Sequence, residues 1–282
     1  MSTLVVLGAG DLGGAVASCA AALAVARRVV LMDDAADVAR GKALDIRQAA
    51  AIGGVAVEVV GTSDLGVVVG AAVVVLADRH DTPTVEHQGD AAVQLLARVR
   101  ALNPRALLLC AGAAQLDVVE RLVHEHGFDA ARVAGSAPEA LRTALVALAS
   151  LEARSAPWEV SLMLVGRPPR QAIALWNEAS IAGRRAADVL DPPALTRLEG
   201  RLPQLWPPGP LSLAGAAVRT ASLALTHSAG TPSMFIVPSG AEGVRLRGVA
   251  LPATVRAEGI TPIWPTLSPR DRTRLETAVA GG

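Results

Sequence analysis

The 282-residue chain contains no tyrosine, two phenylalanines, two cysteines and, among 26 basic residues, a single lysine, Lys42. Aromatic side chains make up 2% of it, too few for a platform on which bases could stack. The 26 basic residues are matched by 26 acidic ones, so no positive excess exists to neutralise phosphates, and no nucleic-acid partner is expected. Both cysteines, Cys19 and Cys110, lie in apolar runs and read as small hydrophobes, which excludes a disulfide framework. The five histidines are scattered apart from His124 and His126, which have no third ligand nearby, so no metal is expected. Apolar stretches such as 66–77 are broken by Asp64 and Asp78, well short of the ~20 residues that span a bilayer, and no membrane segment is expected. The first residues lack a basic region and carry Asp11 inside their apolar run, unlike a secretion signal, which leaves the cytoplasm as the expected compartment. Trp158, Trp176, Trp206 and Trp264 are expected to anchor the core and the loops.

Hydrophobic residues make up 51% of the chain, charged residues 18%, and mean hydropathy is +0.41. That is apolar surface enough to offset chain entropy, and one or two packed domains follow. Runs rich in Val, Leu and Ile recur at 3–7, 29–32, 55–60, 71–76 and 106–110, alternating with Ala-rich helical stretches that include 40–50 and 93–102. Apolar side chains on consecutive residues imply strands buried on both faces, and the helices supply the crossovers of a doubly wound parallel α/β sheet. Asn103-Pro104 ends one of these helices. From about residue 136 the texture changes to α+β: a helix at 139–152, a strand at 159–165, late strands near 234–237 and 243–251, and a closing helix to 279 capped by Ser268-Pro269. The division expected is 1–135 and 136–282.

The strongest motif is Gly8-Ala9-Gly10-Asp11-Leu12-Gly13, directly after the first strand and opening an Ala-rich helix. In a GxGxxG turn Gly8 permits the tight turn, Gly10 lets the backbone approach a pyrophosphate and Gly13 lets helix and strand pack closely, while the unpaired N–H groups of the helix N-terminus attract an anion. Asp33 follows Gly13 by 20 residues at the end of the second strand, where a carboxylate can accept from an adenosine ribose and repel a 2′-phosphate, favouring NAD over NADP. The cofactor-binding candidates are therefore Gly8, Gly10, Asp11, Leu12, Gly13 and Asp33.

That turn, together with Leu31-Met32-Asp33, Gly41-Lys42-Ala43-Leu44-Asp45, Gly61-Thr62-Ser63-Asp64, Gly127-Phe128, Arg132-Val133 and Leu267-Ser268-Pro269, resembles the lactate/malate dehydrogenase family over nearly the whole chain. The resemblance implies a Rossmann doubly wound parallel sheet domain followed by a lactate/malate dehydrogenase-like α+β domain. It also implies NAD as cofactor and a homo-oligomer.

The family's chemistry does not carry over. Its Asp and carboxylate-clamping Arg fall on Leu141 and Ala144, its catalytic His on Pro168 and its Asn on Ala113. The glycine turn after its fourth strand becomes Ala77-Asp78-Arg79, placing a carboxylate beside the phosphate turn with Arg79 as its possible offset. The loop between Gly70 and Gln88, the substrate lid in the resemblance, is roughly seven residues short and poorly able to close. Glu139 and Arg142 repeat the spacing of the missing Asp and Arg but read as a surface ion pair. Three readings follow. The chain is a degenerate member, kept for nucleotide binding or for assembly with itself or another protein, with NAD binding weak or lost; or an active oxidoreductase in which Arg167 or Arg170 grips an acid and His80 or His87 relays the proton; or a scaffold without ligand.

Overall fold

The computed structural model describes residues 2–81, 85–238 and 247–280. The first half runs β1 (Thr3–Leu7), α1 (Asp11–Ala22), β2 (Arg28–Met32), α2 (Ala36–Ile52), β3 (Glu58–Thr62), β4 (Val73–Leu76), α3 (Gly89–Leu102), β5 (Leu107–Cys110), α4 (Leu116–His124) and β6 (Val133–Gly135). The second runs α5 (Ala137–Ala153), β7 (Val160–Ser161), β8 (Leu164–Arg167), β9 (Gln171–Ala174), β10 (Ser180–Ile181), β11 (Arg184–Arg185), α6 (Ala186–Val189), α7 (Pro192–Arg201), α8 (Pro210–Thr226), β12 (Ser233–Ile236), β13 (Val249–Arg256), β14 (Gly259–Pro262) and α9 (Pro269–Ala280).

One sheet joins both halves in the order β3-β2-β1-β4-β5-β6-β12-β13-β8-β9, with β14 on β13. Strands β1 to β6 are parallel; β12 enters antiparallel to β6 through the pair Phe235 and Gly135. The consecutive apolar residues have a direct cause. Leu4, Val6, Val29, Leu31, Val73 and Val75 feed the core on one face, while Val5, Leu7, Val30, Val74 and Leu76 feed the core on the other. Reversal of strand order at β1 and β4 leaves a crevice above their carboxyl ends, the place where such sheets bind ligands.

The Ala-rich α1 packs against α8 of its own chain as well as against the sheet. It buries Val16, Ala17, Ala20 and Ala21, and α8 is likewise small-sided, with Ala214, Ala217 and Ala221 buried. Two expected strands differ in extent. The run 55–60 becomes strand only at Glu58, because its partner strand begins at Arg28, which pairs with Glu58 in register. The run 159–165 divides, since Val160–Ser161 joins a small sheet with β10 and Leu164–Arg167 joins the main one. Residues 243–246 of the expected late strand lie outside the described residues. Trp176 is buried and Trp206 meets Phe235 edge to face, but Trp158 and Trp264 are exposed and lie outside the core. Among the described residues no helix is long and apolar enough to cross a membrane.

Candidate functional site

The glycine turn sits where the motif places it, in the crevice above β1 and β4. Gly8 adopts φ +102, and a Cβ there would lie 2.0 Å from the Asp78 carbonyl oxygen. A Cβ on Gly13 would lie 1.9 Å from the Gly8 oxygen, so the close helix-to-strand approach is real. The group that approaches Gly10 is one of the chain's own. A Cβ on Gly10 would fall 2.3 Å from the carboxylate of Asp78.

Asp78 lies two residues beyond the end of β4 and is buried, with 2% of its surface exposed. Its Oδ2 accepts from the Leu12 N–H at 2.9 Å and its Oδ1 from the Gly13 N–H at 2.8 Å. The Gly10 N–H donates to its carbonyl oxygen at 3.3 Å. Gly10, the N-cap of α1, has no side chain to cap it, so the carboxylate of Asp78, just past β4, does so and meets the positive end of the helix. Lys42 on α2 clasps the turn from outside, its Nζ donating to the Gly10 oxygen at 2.7 Å. Asp11 faces solvent.

Asp33 is also bound to backbone. Its Oδ2 accepts from the Ala9 N–H at 2.8 Å and its Oδ1 from the Ala35 N–H at 3.0 Å, with His80 Nδ1 3.4 Å from Oδ1. Arg79 does not offset Asp78: it turns outward and pairs with Asp81 at 2.5 Å. Beside Asp33 remains a cleft of about 280 Å³ bordered by Asp34, His80, His87 and Arg98. Burial pushes the His87 imidazole below its ordinary pKa, reinforced by Arg79.

The described flanks of the shortened loop, residues 77–81 and 85–87, pair with each other just beyond the end of β4. The Arg79 N–H donates to Val85 O, the His87 N–H to Ala77 O, and Asp78 pairs with Glu86 as an antiparallel bridge. Glu86 is thereby set over the turn that precedes α4, accepting from the Ala113 and Ala114 N–H groups at 2.7 and 2.8 Å. Burial raises the Glu86 carboxyl pKa, against the pull of those two donors. Ala113 is the position where the resemblance expects the Asn, so a carboxylate now lies against the backbone there. Gln115 locks the same loop, accepting from Gly112 N–H and donating to Ala77 O and His87 O.

At the remaining positions the side chains are inert. Leu141 is fully buried in the core, Ala144 carries no polar group, and Pro168 lies in the turn between β8 and β9. The pair Glu139 and Arg142 is not on the surface, contrary to expectation. Glu139 is 0% exposed and receives Arg142 through two hydrogen bonds of 2.6 and 2.7 Å. The Ser233 N–H adds a third at 3.0 Å, and Arg219 Nε stands 3.5 Å away, so the carboxylate ties α5 to α8 and β12. Arg167 is engaged by Glu120 at 2.7 Å and by the Gly248 oxygen. Arg170 lines a separate groove against α9, while His80 and His87 border the cleft near Asp33. The relocated acid grip and proton relay are not brought together in one cavity.

No protein-family model matches the chain. Its architecture, however, follows the lactate dehydrogenase of Cryptosporidium parvum, solved with lactic acid and NAD, over 98% of this chain and 94% of that one, with a TM-score of 0.86 and 18% identity. The chain has the lactate/malate dehydrogenase fold. The malate dehydrogenase of Plasmodium falciparum, solved with NADH, shares this dehydrogenase fold at a TM-score of 0.86 and 14% identity, over 99% of this chain and 95% of that one. In sequence, a stretch of 61 residues is 44% identical to the malate dehydrogenase of Salinibacter ruber, covering 22% of this chain and 19% of that protein.

The residues present do not fit the pyrophosphate of NAD. The N–H groups of Leu12 and Gly13 are already bonded to Asp78, and a phosphate brought to them would meet a buried carboxylate. Asp78 is visible in the sequence as an acid closing an all-apolar strand. Its capture by a turn 65 residues earlier is not. Glu86 gave no sequence signal beyond an acid in a loop.

Proposed function

We propose that this chain is a dehydrogenase-fold protein that has left hydride transfer and serves as a binding or assembly protein. The observation that carries this reading is the Asp78 carboxylate seated on the Leu12 and Gly13 N–H groups at 2.9 and 2.8 Å. A second acid, Glu86, does the same at the turn before α4, so internal carboxylates satisfy two N–H pairs of the crevice. With dinucleotide binding weakened or lost, the hydride donor has no seat. With Pro168, Leu141, Ala144 and Ala113 at the positions of the family's polar groups, those positions supply no side chain that could move a proton or grip a carboxylate.

What remains open is the cleft beside Asp33, large enough for a small polar ligand and bordered by charges of both signs. We assign the chain's nucleotide-type binding, where retained, to that cleft, and its homo-oligomeric or partner assembly to surfaces outside it. The test is turnover. Purified protein incubated with NAD and either malate or lactate from pH 6 to 10 is expected to give no NADH above a protein-free blank, and substrate-dependent NADH formation would overturn the reading.

A further inference from the structure

A groove of about 490 Å³ lies between the β8–β9 hairpin and α9, apart from the crevice. We propose that it receives a small phosphate-bearing ligand. Residues 270, 273, 274 and 277 fall on one face of α9, since side chains three and four apart stack along a helix. That face presents Arg270, Thr273, Arg274 and Thr277 to the groove, and the hairpin contributes Arg170 and Gln171 from the opposite wall. Ile173, 1% exposed, forms its apolar floor.

The charges are unbalanced. Among the described residues neither Arg170 nor Arg270 has a hydrogen-bond or ion-pair partner, although three guanidiniums line one hollow. No acid is among the residues lining the groove, but Asp271 on the same helix has its Oδ1 3.6 Å from Arg274, and its Oδ2 accepts from the Ser268 hydroxyl at 2.7 Å. Glu276, also on α9, is not among the lining residues. Arg274 is further steadied by the Ala172 oxygen at 3.5 Å, which holds its guanidinium against β9. Two free forks and one fixed one, with a single half-committed carboxylate, leave a net charge of about +2 facing a concave space. Guanidinium forks match the oxygens of a phosphate bidentately, and a ligand with two or more negative charges is what this surplus selects. The hydroxyls of Thr273 and Thr277 donate to backbone oxygens one turn back and so keep lone pairs for a ligand's own hydroxyls.

Inorganic pyrophosphate is the probe, titrated into the whole chain by calorimetry at constant ionic strength. Saturable binding is expected, weakened about tenfold or more by Arg170→Gln with Arg270→Gln, and strengthened by Asp271→Asn. Both replaced arginines are exposed and have no partner among the described residues, so the melting temperature of the double variant stays at the wild-type value and folding does not confound the result. No saturation below about 10 mM, or binding indifferent to the two arginines, would overturn the proposal. Arg170 and Arg270 line this groove and not the glycine turn, so binding that depends on the two arginines is distinguished from any pyrophosphate held in the crevice.

Discussion

Gly10 and Asp78 compete for one volume: the carboxylate of the second lies 2.3 Å from where a Cβ of the first would stand. Gly10 has φ −70 and ψ −159, a conformation open to any L residue, so the glycine is required by that neighbour and not by its own backbone. Gly10→Ala should cost about 1–3 kcal/mol in the wild type, as overpacking does, and far less in an Asp78→Gly background. Chemical denaturation of the four proteins of this cycle measures the coupling; additive effects would show that the two residues do not share the space.

The buried Glu139 carboxylate holds Arg142, the Ser233 N–H and, more distantly, Arg219. Removing one partner of such a pair strands the other, so Arg142→Met should destabilise the fold by about 3–5 kcal/mol. The double variant Glu139→Leu with Arg142→Met should recover most of that loss, as read from urea midpoints.

His87 has its folded pKa depressed by burial. The unfolded chain therefore binds the proton more readily, and His87 adds stability above the ordinary histidine pKa of about 6.5 that is lost as pH falls through that value toward the folded one. Between pH 7.5 and 5.5 the melting temperature of His87→Gln should fall less than that of the wild type. Equal slopes would show that His87 is not held neutral.

Cys110 is fully enclosed and its thiol pKa is pushed up to about 12 by burial, whereas Cys19, whose thiol pKa burial also raises, is only half-buried. A thiol-exchange reagent at pH 8 should label Cys19 in the folded protein, and Cys110 only after denaturant is added.

The parts of this structure written in neighbouring residues were legible. Consecutive apolar residues declared strands with a core on each face, GxGxxG declared the turn, and Ser268-Pro269 declared α9, where Ser268 Oγ accepts from the Asp271 N–H at 3.1 Å. What failed to show was pairing at a distance. Asp78 reads as a repulsive charge beside the turn until the fold makes it the turn's own anion. Glu139 reads as solvated because helical spacing supplies Arg142, yet α8 and β12 close over it. In both cases a charge was assigned by its sequence neighbours, and its true partners lay on other elements.

The claim on which the rest depends is that Asp78 fills the phosphate seat. Fluorescence titration of NADH into the wild type and into Asp78→Ala tests it most directly. Removing the carboxylate leaves the Leu12 and Gly13 N–H groups unpaired and, by this account, confers NADH binding at least about tenfold tighter than the wild type shows. Wild-type protein that already binds NADH tightly, with no gain on removing Asp78, would contradict it.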